Sequence, residues 1–153
     1  MAAPGTFTLF SKNKADIRIN DIVAGTLKVA LITSSWTPDV TVTGNSLFAD
    51  MSANDLATAN GYTAGGVTPG TLAATAITGG YKFTSANPTW TASGGSIPAW
   101  RYAVFYMSGT VWGKVNPVIG YFVGDSAPAD IPATSSGNTL TLTLPAGGWF
   151  DET

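Results

Sequence analysis

Turn-forming dipeptides interrupt this chain along its whole length, and no apolar pattern of helical period persists between them. Pro38-Asp39, Gly44-Asn45, Asn60-Gly61, Gly65-Gly66, Pro69-Gly70, Gly79-Gly80, Gly94-Gly95, Asn116-Pro117, Gly137-Asn138 and Gly147-Gly148 divide it into short runs rich in Val, Ile, Thr and aromatic residues. A strand is complete within such a run, whereas a helix needs roughly ten residues or more. The spacing therefore predicts an all-β fold: a single β-sandwich, jelly-roll or immunoglobulin-like, with long loops and at most one short helix.

The runs themselves carry a strand period. In "LKVALIT", from Leu27 to Thr33, residues Leu27, Val29 and Leu31 share one face, and Lys28, Ala30 and Ile32 share the other. "TLTLTL", from Thr139 to Leu144, alternates leucine with threonine, the mark of a half-buried strand. "VIGYFV", from Val118 to Val123, is apolar on both faces and predicts a central strand. The best helix candidate is "SANDLATA", where Ser52 and Asp55 form a loose capping pair. Two segments depart from this pattern. Residues 1–26 read as an N-terminal arm or extension, and 61–80 as a long loop or as two weak strands around "TLAATAI".

The chain has 153 residues, of which 44% are hydrophobic, enough for one domain with a substantial core. Only 10% are charged, against roughly 25% in ordinary soluble domains. Either much of the surface is covered by other protein, or the hydroxyls of Ser and Thr do the solvating. The net charge of −2 and the scattered cations, of which only Lys12, Lys14 and Arg18 lie close together, exclude a nucleic-acid footprint. "MAAPGTFTLF" has no basic and apolar leader pattern, and no apolar stretch is long enough to span a membrane, so synthesis in a cytosol is expected.

Catalytic chemistry finds little material. With no histidine and no cysteine, Ser-His-Asp and Cys-His constellations and thiolate or imidazole metal sites are excluded. Nearly all the carboxylates lie at predicted turns or ends, where Asp bonds its own backbone. Asp50 with Asp55, or Asp125 with Asp130, are the pairs a glycosidase reading would take, and nothing separates them from turn aspartates. "ANDLATANG" lacks the spacing of a calcium loop, and no phosphate-binding glycine loop is present. No catalytic residue, cofactor or metal ligand is expected. Trp36, Trp90, Trp100, Trp112 and Trp149 suit either sugar stacking or the core and interfaces.

"PTWTASGGSIPAWRYAVFY", from Pro88 to Tyr106, holds Arg101 as its sole charge. Period 2 puts Trp100, Tyr102, Val104 and Tyr106 on one face, and Ala99, Arg101, Ala103 and Phe105 on the other. The guanidinium needs a carboxylate, carbonyl or ring partner, either an internal aspartate or a group across a subunit boundary. Arg101, Trp36, Trp100, Tyr102, Phe7 and Phe10 are the residues expected at such a boundary.

Four stretches together resemble a family of small virion proteins of tailed bacteriophages: "LKVALITSSWTPDV", "LFADMSANDLATANGYTAGG", "PTWTASGGSIPAWRYAVFY" and "NPVIGYFVGD". The likeness spans roughly residues 27–125. Where the family has a small residue before its Arg-Tyr-Ala-Val run, this chain has Trp100, followed by Arg101, Tyr102, Ala103 and Val104. The resemblance implies a structural protein without catalysis, located in a virion assembled in the host cytoplasm. It implies either a decoration (cement) protein of the head or a neck, tail or fibre component with a receptor- or glycan-binding role. The absence of a long repetitive stalk favours decoration. Its partners would be the major capsid protein and copies of itself, as a homo-oligomer such as a trimer, with neither nucleic acid nor membrane.

Overall fold

The computed structural model describes residues 6–125 and 129–153. Its strands are β1 (Thr8–Leu9), β2 (Leu27–Ile32), β3 (Ala73–Ile77), β4 (Gly80–Thr84), β5 (Thr89–Thr91), β6 (Tyr102–Met107), β7 (Thr110–Val111), β8 (Lys114–Val115), β9 (Val118–Val123), β10 (Thr139–Thr141) and β11 (Phe150–Glu152), with one helix, α1 (Ile19–Ala24). The fold is all-β, as the turn spacing predicts. Every named pairing is antiparallel. A four-stranded sheet runs β1-β9-β6-β2, a three-stranded one β11-β4-β3, and two pairs stand apart, β10-β5 and β7-β8. None closes into a barrel.

The four-stranded sheet organises the interior because both of its faces are apolar. On β2, Leu27, Val29 and Leu31 enter the larger core, while Ala30 and Ile32 enter a smaller one on the opposite face. β9 lies between β1 and β6 and is apolar on both faces. Its alternation contains an inversion: Val118 and Tyr121 face the smaller core, Ile119 and Phe122 the larger. Phe105 pairs with Gly120 but Tyr106 with Val118, so Ile119 is an extra residue, and this bulge resets the phase.

The two smaller sheets fill the larger core from the other side with Phe83, Trp90 and Leu140, joined by Leu142 and Trp149. Trp149 stacks on Phe122 with ring centroids 5.6 Å apart and meets Phe105 at 4.7 Å. The smaller core is closed by irregular chain, with Phe10, Trp36 and Met51 buried against β2, β6 and β9. The one broad sheet is thus covered on both faces.

Residues 6–26 pack into this body. Phe10, Ile17, Ile19 and Ile22 are buried, and the Asn13 amide donates to the carbonyls of Ser46 and Val118, each at 2.7 Å. The segment 61–80 divides: 61–72 is irregular, and β3 with β4 forms a hairpin across Thr78-Gly79. The helix lies elsewhere than "SANDLATA", whose first residues make a 3-10 turn at Ser52–Asn54, directly after another at Phe48–Asp50. There Asp50 accepts from the N–H groups of Ser46 and Leu47, and Asp55 is drawn away to Tyr62 and Gly65, so no helix propagates. α1 has just two buried anchors, Ile19 and Ile22, too few for a visible period.

β2 ends the four-stranded sheet, yet its outer edge is not open. Val29 exchanges hydrogen bonds with Val67, N to O at 2.8 Å and O to N at 3.0 Å. The Leu31 N–H donates to the Tyr62 hydroxyl at 3.0 Å, the Leu31 carbonyl accepts from Leu56 N at 3.1 Å, and Thr33 N donates to Asn54 O at 2.9 Å. Segment 54–67 therefore meets the outward groups of Val29, Leu31 and Thr33. Gly66 is the point of closest approach: at φ +80° a Cβ there would lie 1.8 Å from the Val29 carbonyl oxygen. Gly66→Ala should destabilise the fold by roughly 3 kcal/mol or more, read as a lowered urea midpoint at unchanged slope.

Candidate functional site

The most developed polar cluster lies where segment 54–67 meets β2 and β6. Asp55 Oδ1 accepts from the Tyr62 hydroxyl at 2.5 Å, and Asp55 Oδ2 accepts from the Gly65 N–H at 2.6 Å. The Tyr62 hydroxyl in turn accepts from Leu31 N, and the Tyr106 hydroxyl donates to the Gly65 carbonyl at 2.7 Å. Burial pushes the Asp55 carboxyl above its ordinary range, against the pull of Tyr62 and Gly65. Burial, then the neighbouring Asp55 charge, raises Tyr106 to about 12 and lifts Tyr62 as well. Each hydrogen-bonding group here faces backbone or another member of the cluster. Its chemistry is fastening: a carboxylate and two phenols hold an irregular segment to a sheet edge.

The six residues expected at a subunit boundary divide into two groups. Phe10, Trp36 and Trp100 are buried within this one chain, Phe10 completely, so their rings are not offered to a neighbour. Trp36 packs edge-on against Tyr102 at 5.2 Å and Tyr121 at 5.9 Å. Phe7 is half-buried over Gly120, where a Cβ would lie 2.4 Å from its ring, and meets Phe105 at 5.1 Å. Tyr102 is likewise half-buried. Arg101 has an internal partner, its Nε donating to Asp130 Oδ1 at 2.8 Å. Trp100 also leaves the face shared by Tyr102, Val104 and Tyr106, because it precedes β6 and bridges to Ile131.

Several other carboxylates serve the backbone or surface cations. Asp39 accepts from the Thr41 hydroxyl at 2.8 Å and the Thr41 N–H at 3.1 Å, and these bonds hold its carboxyl below the usual range. Asp16 binds Lys114, and Glu152 Oε2 accepts from Ile19 N at the start of α1. Among the described residues, no three of His, Cys, Asp and Glu gather as a metal site. A shallow cleft of about 230 Å³, lined by Leu9, Ile17, Phe150 and the charged Lys14, Arg18 and Glu152, brings no nucleophile to a base.

The tryptophans report on the sugar-stacking alternative. Trp36, Trp90, Trp100 and Trp149 are buried, and only Trp112 reaches the surface. Trp112 sits at φ 53° in the turn between β7 and β8, its indole N–H donating to Asp21 at 2.8 Å. Neither that contact nor the Asp55–Tyr62–Tyr106 cluster was marked in the sequence, because both depend on side chains that only the tertiary fold brings together. No helix among the described residues is long and apolar enough to cross a membrane. The chain matches no family model, no curated protein and no solved structure.

Two measurements follow from this geometry. The Arg101–Asp130 side chains are 29% and 44% exposed, so a double-mutant cycle to alanine should return a coupling of about 1 kcal/mol or less. The stability carried by protonated Tyr106 is complete below pH 10 and is lost as the pH rises through about 12. Melting temperature followed across that interval should fall less steeply in Tyr106→Phe than in the wild type.

Proposed function

We propose that this protein is a non-catalytic virion component that decorates the head of a tailed bacteriophage, holding adjacent shell subunits together by broad protein–protein contacts. The observation that carries the reading is the disposition of its few charges. Arg18, Arg101 and Lys114 are each paired with a carboxylate, and Lys82 donates to the Ala146 carbonyl. Outward strand positions carry threonine instead, including Thr75, Thr89, Thr91 and Thr139. A surface of methyls and hydroxyls with little net field suits flat contact with another protein better than capture of a charged ligand.

The resemblance in the four sequence stretches supplies the setting, and the body described above suits the task. A sheet covered on both faces and sealed along one edge resists deformation under load. Each contact contributes about 25 cal/mol per Å² of apolar area, less the entropy lost on docking. Modest binding per copy, repeated over a closed shell, sums through avidity into resistance to internal pressure. The rival placement in a neck, tail or fibre with glycan binding has less support, since it calls for exposed tryptophans and four of the five are buried.

Purified protein added to undecorated heads and imaged by cryo-EM tests this reading. Saturable density at equivalent positions on the capsomers is the expected result. Binding confined to tails or to glycans, or catalytic turnover by the purified protein, would overturn it.

A further inference from the structure

From the free edge of β3 we infer that two copies of this chain pair through that strand across a two-fold axis, joining their three-stranded sheets into one of six strands. The inference does not rest on the decoration reading, which would survive its failure.

β3 is the terminal strand of the sheet β11-β4-β3. Its hydrogen-bonding parity follows from β4. The Phe83 carbonyl accepts from Trp149 N at 2.9 Å, so Phe83 directs its backbone toward β11. Lys82 and Thr84 therefore direct theirs toward β3, where they pair with Thr75 and Ala73. The N–H and C=O groups of Ala74 and Ala76 consequently point away from β4, and among the described residues neither has a hydrogen-bond partner. Four outward backbone groups thus stand in a row, symmetric about Thr75.

That symmetry selects the occupant. If Ala74 of one copy lies opposite Ala76 of the other, a two-fold axis passes beside Thr75, and all four outward groups on each copy are satisfied at once. Thr75 then faces its own counterpart in a non-hydrogen-bonded pair, a favourable cross-strand combination. The strand offers no obstruction, since Ala73, Ala74, Thr75, Ala76 and Ile77 include neither charge nor proline.

The other sheet edges are blunted in ways β3 is not. β2 is covered by segment 54–67, β11 carries Asp151 and Glu152, β5 and β10 are three residues long against five in β3, and β1, β7 and β8 are only two residues long. Exposed apolar side chains also collect beside this edge. Tyr81 is cross-strand from Ala76 and 53% exposed, and Val23, 36% exposed, lies on α1, which packs against β3.

Sedimentation velocity over rising concentration tests the pairing. Wild-type protein should shift from monomer to dimer. Ala74→Pro and Ala76→Pro each remove an outward N–H while sparing the ladder to β4, and should raise the dissociation constant at least tenfold. Hydrogen exchange on the wild type gives a reading that needs no variant: the Ala74 and Ala76 amides should gain protection as the dimer forms. A wild type that stays monomeric into the high micromolar range would overturn the inference. So would proline variants that dimerise as well as the wild type, or Ala74 and Ala76 amides that exchange freely in the dimer.

Discussion

The closure of the outer edge of β2 by segment 54–67 is the contact on which the rest of the molecule depends. β2 supplies residues to both cores, so any slip in its register would move Leu27, Val29 and Leu31 out of one core and Ala30 and Ile32 out of the other. β6 fixes that register from the inner side over six paired residues. The outer side is fixed by Val67, Tyr62, Leu56 and Asn54. An irregular segment can serve as an extra strand only where its backbone approaches closely, which explains glycine at position 66. It also needs polar fastening, which Asp55 and the two tyrosines provide.

This arrangement explains why so much aromatic surface is internal. A sheet apolar on both faces needs cover on both, and only one face receives other sheets. The second is roofed by the chain around Phe10 and by 36–51, which lie outside the strands and contribute area through large rings instead: Phe10, Trp36 and Phe48. Phe48 stacks on Tyr106 with centroids 4.1 Å apart, and the Tyr106 hydroxyl reaches Gly65. The roof of the smaller core and the seal of the β2 edge therefore share a residue, and disturbance of one is felt by the other.

Much of the fold was legible because period 2 is a local property. The faces of "LKVALIT" and the inward leucines of "TLTLTL" follow from alternation, and the central place of "VIGYFV" from its being apolar on both faces. What local pattern cannot express is a change of phase. The bulge at Ile119 inverts β9, and the departure of the chain before Tyr102 moves Trp100 to the other face, so a strict alternation misplaces both. Of the rings expected at a boundary, Phe10, Trp36 and Trp100 are buried for a related reason. An aromatic residue near a turn looks exposed in sequence, whereas the turns at Phe10 and Trp36 fold back over the sheet. The Asp55 cluster is illegible in sequence because it depends on where segment 54–67 returns, a tertiary fact.

The charges complete this logic. Three ion pairs among the described residues join segments far apart in sequence: Arg18 with Glu152, Lys114 with Asp16, and Arg101 with Asp130. Pairs this exposed contribute little stability each. Their value is positional, for they attach the C-terminal strand to the entry of α1, the β7-β8 hairpin to the N-terminal segment, and the chain around Asp130 to the start of β6. Because cations used in this way are largely neutralised by their partners, the outward field is weaker than the count of charged residues suggests. Solvation then falls to threonine hydroxyls, and a threonine face can be covered by another protein without stranding a charge. The deficit of charge and the plainness of the strand faces thus have one origin, a body organised from within and left nearly neutral outside.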